Sequence, residues 1–178
     1  MWYVIQVRNG NEQNICLQCE RQISPQVLKS CFIPRYEVKR KISGTWVTEQ
    51  KILFPGYLFL ISDDLQQLYP ELKKMVGLTR LLGTGDEIVP LSEDEVELLL
   101  RLGGDDRVTA MSEGIIEGSR VIVRTGPLQG MEGLIRKIDR HKRKAWLELP
   151  MFGGTQTVQV GLEITEKIKT DKIPLERN

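Results

Sequence analysis

The run Ile138-Asp139-Arg140-His141-Lys142-Arg143-Lys144-Ala145-Trp146 gathers a block of cations, the chain's sole histidine and a tryptophan. Lysine offers a mobile point charge, and arginine a planar fork that grips two acceptors at once. The composition therefore suits contact with a polyanion rather than bond-making, with an ordinary solvated turn as the alternative. Other constellations lead nowhere. Cys16-Leu17-Gln18-Cys19 has CxxC spacing, but only Cys31 and His141 remain to complete a zinc site, so buried apolar packing is expected of the pair. Gly83-Thr84-Gly85 lacks the third glycine of a dinucleotide fingerprint, and no GxxxxGK[ST] occurs. The acids of residues 86–106 have no basic partner implied and read as a solvated face, and a histidine inside a cationic run is a poor triad member. No enzyme, metal or cofactor is expected.

Charge and composition confine the cationic function to patches. Lys and Arg total 25 against 24 Asp and Glu, a net charge of +1, so the chain is no general polycation. No apolar run reaches the roughly 18 residues of a membrane helix. The start, Met1-Trp2-Tyr3-Val4-Ile5, lacks a basic leader and reads as a strand, and three cysteines fit a reducing interior. A cytoplasmic protein with no membrane partner is expected.

The elements that must position the loop follow from periodicity. Residues 2–7 predict a strand, and Ile15, Cys16, Cys19 and Ile23 recur at helical spacing until Pro25. Residues 32–38 and 46–48 are β-prone and flank a Ser43-Gly44 turn, predicting an extended arm or hairpin made basic by Arg35, Lys39, Arg40 and Lys41. The apolar run 52–61 predicts a central strand buried on both faces, entered through Pro55-Gly56. Leu65, Leu68, Leu72 and Met75 predict a second helix, kinked or started late at Pro70, and 78–82 a further strand. This order is that of a ferredoxin-like split βαβ unit. Ser92 and Glu95 form a capping box opening a Leu-rich helix. After the Gly103-Gly104 break, short strands at 120–125, 131–138, 145–149, 155–160 and 162–168 predict a small barrel, closure removing sheet edges. The expected division is 1–103, a linker at 104–117, and 118–178. The cationic run is then a hairpin loop. Alternation puts Arg136 and Ile138 on one face and Lys137 on the other, and leaves Trp146 open to core packing or base stacking.

Trp2-Tyr3-Val4, Phe54-Pro55-Gly56-Tyr57, Pro90-Leu91-Ser92-Glu93-Asp94-Glu95 and the stretch Val121-Ile122-Val123-Arg124-Thr125-Gly126-Pro127-Leu128-Gln129-Gly130-Met131-Glu132-Gly133 together resemble the NusG family of transcription elongation factors. The resemblance implies an α+β chain, a ferredoxin-like NGN domain followed by an SH3-like β-barrel KOW domain. It puts Gly133 at the characteristic KOW glycine, where a bend or close approach is expected to exclude a β-carbon. It implies that Trp2, Tyr3, Phe54, Pro55 and Tyr57 form a patch for the clamp helices of the largest RNA polymerase subunits. Residues 64–69 would face the opposite gate loop, and Arg8, Arg35, Lys39, Arg40, Lys73 and Lys74 would lie near non-template DNA. The loop is more basic than in housekeeping members. That departure resembles a LoaP-type specialised paralog, an implied processive antiterminator reading an RNA hairpin in a leader transcript through Arg136, Lys137, Arg140, His141, Lys142, Arg143 and Lys144. The alternative is a housekeeping elongation or termination factor whose barrel meets a ribosomal protein or termination factor.

Overall fold

The computed structural model describes residues 1–75 and 88–170, together with the backbone of 78–81, 83–84 and 87. In chain order the N-terminal unit runs β1 (Trp2–Val7), α1 (Glu12–Gln22), β2 (Ser30–Phe32), β3 (Arg35–Ile42), β4 (Thr45–Ile52), β5 (Tyr57–Ile61), α2 (Leu65–Lys73) and β6 (Leu78–Leu81). Its sheet has the order β2-β5-β1-β6, with every neighbouring pair antiparallel, as a ferredoxin-like succession requires. Alternation then divides the side chains. Tyr3, Ile5 and Val7 of β1 and Leu58 and Leu60 of β5 pack against Ile15, Cys16 and Cys19 of α1 and Leu68 and Leu72 of α2. Val4 and Phe59, opposite each other in register, face the other way. The strand β5 is thus buried on both faces; Cys16 and Cys19 are buried as expected, Cys31 is buried with them, and all three are unpaired.

The predicted arm is the hairpin β3–β4, turned at Ser43 and Gly44, whose φ values of +49° and +83° are those a tight hairpin turn demands. A two-strand ladder of β7 (Gly83–Thr84) and β8 (Glu87–Ile88) precedes α3 (Glu93–Gly103); Gly85 and Asp86 lie outside the described residues. The Ser92 hydroxyl accepts the Glu95 N–H at 3.2 Å, so the capping box is real. In α2, Asp64 caps by accepting the Gln67 N–H at 3.0 Å, and Pro70 is carried inside the helix without delaying its start.

The stretch 104–117 is not a linker. β9 (Val108–Thr109) adds in parallel to β3, and β10 (Ser112–Glu117) is an interior strand of the C-terminal sheet, so only residues 110 and 111 join the units. Gly114, which reads as a loop residue, serves close packing instead: a Cβ there would lie 2.5 Å from the Ile122 carbonyl oxygen of the paired strand. The remaining elements are β11 (Arg120–Thr125), a short turn Glu132–Leu134, β12 (Ile135–Asp139), β13 (Lys144–Met151) and β14 (Gly154–Ile168). The sheet order is β11-β10-β14-β13-β12. The two strands predicted at 155–160 and 162–168 are one, which pairs first with β13 and then with β10.

The outer strands of this sheet, β11 and β12, form no ladder with each other among the described residues. Closure comes from the connection between them, where Leu128 and Met131 are buried and the Glu132 carboxylate accepts the Val123 N–H of β11 at 3.1 Å. Gly133 does not fit its expected role: nothing would lie within 4 Å of a Cβ there, and its backbone is not left-handed.

One apolar cluster runs through both units. Val4, Tyr36, Val38, Leu53, Phe54, Phe59, Leu99 and Leu102 of the first are continuous with Leu147, Leu149, Met151, Val160 and Leu162 of the second. Gly161 permits the approach, since a Cβ there would collide with the Glu37 carbonyl oxygen of β3 and the Met111 sulfur. The sulfur can swing aside, whereas the strand carbonyl cannot. Gly161→Ala is therefore expected to part the two units while leaving each folded. Small-angle scattering should show an increased radius of gyration, with the far-ultraviolet circular dichroism unchanged.

Candidate nucleic-acid interface and aromatic face

The sheet face turned away from α1 and α2 is aromatic. Trp2 meets Phe32 edge-on at 5.2 Å between centroids, Phe32 stacks on Phe59 at 5.6 Å, and Phe54 lies 5.5 Å from Phe59. Trp2, Phe54 and Tyr57 thus stand together as the sequence implied, with Pro55 exposed in the turn between the last two. Tyr3 does not join them. One residue along β1 from Trp2, it points into the helix-side core and is buried there, a consequence of strand alternation. Phe32 belongs to the face and was missed, because its strand of three residues ahead of Pro34 gives no periodicity to read. The turn holding Phe54 and Tyr57 is set by Glu12, whose buried carboxylate accepts the Gly56 N–H at 2.7 Å, while Gly56, at φ +84°, passes its carbonyl to the Val7 N–H.

This face is covered. Phe152, from the turn between β13 and β14, stacks on Tyr57 at 5.1 Å and lies 5.6 Å from Phe54 and 6.1 Å from Phe59. The turn chemistry is that of a two-residue hairpin loop, with Phe152 at φ +58° and Gly153 at +72°. A left-handed backbone costs a bulky residue roughly 1 to 2 kcal/mol, which the ring's burial offsets. The sequence marked this segment as a turn and missed that it delivers an aromatic plug. Beside it, the Arg107 guanidinium lies 4.6 Å from both the Trp2 and Phe32 ring centroids.

The basic loop is the four-residue connection between Asp139 and Lys144, which pair at the end of the β12–β13 ladder. Asp139 organises it. Its carboxylate accepts the Lys142 N–H at 2.9 Å, and that bond holds its pKa below the ordinary aspartate value. Arg140, His141 and Lys142 are exposed at the tip and, among the described residues, form no salt bridge. Arg143, at φ +53°, turns back toward the arm: its guanidinium covers the Trp46 ring at 3.6 Å and lies 3.6 Å from the Glu163 carboxylate. Lys144 is half-buried, its pKa lowered by burial and then by the neighbouring Lys51 and Lys142 charges.

The expectation that Arg136 shares a face with Ile138 fails. A register shift between Ile135 and Lys137 inserts Arg136 as a bulge, so Arg136 reaches Glu148 at 2.9 Å and the Gly133 carbonyl at 2.6 Å. Lys137 lies over Trp146 at 4.9 Å. Trp146 and Glu148 share one face of β13, so Arg136 and Lys137 both stand on it, outside the core, and Trp146 is no part of the apolar cluster.

Several arm and helix cations are already engaged. Lys39 pairs with Glu163 across the units at 2.7 Å, Arg40 with Glu49 at 3.4 Å, and Lys74 with Glu71 at 3.1 Å. Arg35 donates to Gln13 at 3.0 Å, Lys73 sits over Tyr69, and Arg8 is exposed. Residues 64–69 are the cap and first turns of α2, with Leu68 fully buried. Among the described residues no group of His, Cys, Asp and Glu is placed to hold a metal ion, and no helix is long and apolar enough to cross a membrane.

A family model described as "Transcription termination factor nusG" matches residues 1–100, more than half of the chain. The chain belongs to the NusG family. It is 26% identical over 175 residues to the transcription termination/antitermination protein NusG of Haemophilus influenzae, covering 94% of each chain. To the protein of the same name from Bacillus subtilis it is 27% identical, covering 93% of this chain and 96% of that one. A solved structure described as "Domain interaction in Thermotoga maritima NusG" shares the fold with a TM-score of 0.57 at 20% identity, over 90% of this chain and 92% of that one. The chain is thus a NusG-type transcription termination/antitermination factor built of an NGN-like unit and a β-rich C-terminal unit.

The seam between the units carries a pH dependence. The Lys39 hydrogen bond, with the Lys39 and Arg143 charges, holds the Glu163 carboxyl below its ordinary pKa. A depressed carboxylate stabilises the packed arrangement above its ordinary pKa of about 4.3 and loses that contribution as pH falls through the depressed value. Interdomain packing should therefore weaken as the pH is lowered past about 4. In Glu163→Gln the packing should be weaker at neutral pH by up to about 1 kcal/mol and this acid step should vanish. Energy transfer between labels on the arm turn and the barrel reads both effects.

Proposed function

We propose that this NusG-family chain is a LoaP-type processive antiterminator: its aromatic face binds the clamp helices of RNA polymerase, and its basic loop binds an RNA hairpin in a leader transcript. It acts by binding alone, in the cytoplasm. The observation that carries the reading is the loop tip, where Arg140, His141 and Lys142 project without a carboxylate partner among the described residues, while the carboxylate of Asp139 is spent on the backbone of the loop. Such a tip suits phosphates and the splayed bases of an irregular hairpin better than a regular A-form duplex, whose deep, narrow major groove admits side chains poorly. Arg140 is the remaining candidate for a bidentate base contact, because Arg143 is engaged by Trp46 and Glu163.

For polymerase, Trp2, Phe32, Phe54 and Tyr57 offer the aromatic anchors expected at the centre of an interface. Phe152 occupies that face, so polymerase binding requires the barrel to leave it. The signs of two substitutions then differ. Tyr57→Ala should weaken binding to polymerase core enzyme by about 2 kcal/mol or more. Phe152→Ala, which removes the competing occupant, should tighten apparent binding by raising the fraction of chain in the competent arrangement. Equal weakening by both would show that Phe152 supports the polymerase surface rather than masking it.

For RNA, Lys142→Ala should weaken cognate and scrambled hairpins alike and lower the log-log salt slope by roughly 0.7 to 0.9. Arg140→Ala should cost the cognate hairpin about 1 to 3 kcal/mol more than the scrambled one. Transcription past an intrinsic terminator with the leader RNA supplied tests the whole. With that RNA carried in the nascent transcript, increased readthrough is expected, because tethering concentrates the chain beside polymerase by more than the packing preference opposes; readthrough unaffected by the RNA leaves a housekeeping elongation or termination factor.

A further inference from the structure

The barrel loop does not face open solvent on its inner side. A groove of about 310 Å³ runs between it and the hairpin arm of the N-terminal unit. Lys41, Trp46 and Lys51 line it from the arm, and His141, Lys142 and Lys144 from the loop. Lys39 and Arg40 bring its Lys and Arg to six, against a single carboxylate, Glu49. That carboxylate is shared by Arg40 at 3.4 Å and Lys51 at 3.7 Å, and Lys39 is taken by Glu163. Lys41, Lys142 and Lys144 form no salt bridge among the described residues, and Lys144 meets only the Gln159 amide oxygen, at 3.4 Å. The like charges of Lys51 and Lys142 bear on Lys144 from both walls, a crowding that a polyanion in the groove would relieve.

The walls are held in place by contacts made only when the units are packed. Arg143 lies on Trp46, which is 40% exposed at the arm's surface, and Lys39 and Arg143 share Glu163. We propose that the β3–β4 arm and the barrel loop are two walls of one RNA-binding groove, which grips the sugar-phosphate backbone of a structured RNA from both sides. The inference rests on the RNA-binding reading of the loop and extends the site to Lys41 and Lys51, in the other unit. Packing and RNA affinity are then linked: RNA in the groove favours the packed arrangement, and parting the units weakens RNA binding.

The test uses the full chain, a fluorescein-labelled RNA stem-loop with an unpaired loop, and a DNA duplex of the same stem sequence, titrated over a range of salt. The Lys41→Gln/Lys51→Gln chain changes only surface side chains of the arm. It should bind RNA several-fold more weakly and lose roughly 1.4 to 1.8 from the salt slope, two phosphate contacts' worth. Lys142→Gln should act in the same direction, and Gly161→Ala, which parts the walls without removing a cation, should weaken binding as well. If the arm variant binds RNA like the parent while Lys142→Gln is weakened, the site is confined to the barrel: the groove is refuted and the RNA reading survives. If both variants bind like the parent, the RNA reading fails and the groove with it. Undiminished affinity in Gly161→Ala, its units shown to be apart, means two separate patches and overturns the single groove. A parent chain that holds the DNA duplex as tightly as the stem-loop overturns the assignment to RNA.

Discussion

A four-stranded sheet has two faces, and here the two helices of the ferredoxin-like unit cover only one of them. α1 and α2 seal the side bearing Tyr3, Ile5, Leu58 and Leu60. The opposite side carries Trp2, Phe32 and Phe59, with Phe54 and Tyr57 at its edge, and must find apolar cover elsewhere. Leu99 and Leu102 of α3 and the base of the arm supply part, and Phe152 of the barrel supplies the rest. Burial of aromatic surface at about 25 cal/mol per Å² makes this cover a strong constraint. The contact between units follows from it: a left-handed backbone at Phe152, the bare flank of Gly161, and a join of two residues.

Covering the face brings two charged surfaces together. The polar seam of Lys39, Glu163 and Arg143 ties the arm to the barrel loop and leaves a cationic groove between them. On the proposed reading the two functional surfaces are opposed in one molecule. The packed arrangement completes the nucleic-acid groove and hides the aromatic face, and the parted one does the reverse. Small changes in packing energy then redistribute the chain between two binding competences, because a two-state equilibrium moves tenfold for each 1.4 kcal/mol.

Much of this was legible in the residues. Apolar periodicity, the Ser92 cap and the Ser43-Gly44 turn give the N-terminal elements, and the position of the basic loop follows from the strands on either side of it. The departures have specific physical causes. Gly114 and Gly161 look like strand breakers to a local reading, yet each is a place where another backbone comes close, which only tertiary contact reveals. Arg136 escapes alternation because a bulge shifts the register. Phe32 and Phe152 lie in a strand of three residues and a tight turn, segments too short to show a period. Trp46 is legible as a strand residue, but its role as the seat of Arg143 depends on a contact between units far apart in sequence. Tyr3 shows the converse: simple alternation along β1 already separates it from Trp2, and grouping by motif concealed that.

On the proposed reading, Phe152 and polymerase compete for one aromatic face. The most direct measurement is the distance between the units, read by energy transfer between labels on the arm turn and the barrel, as the coiled-coil clamp-helix fragment of the largest polymerase subunit is titrated in. The units should part in proportion to the fragment bound, and Phe152→Ala should lower the concentration needed. A saturated complex in which the interdomain distance is unchanged would contradict it.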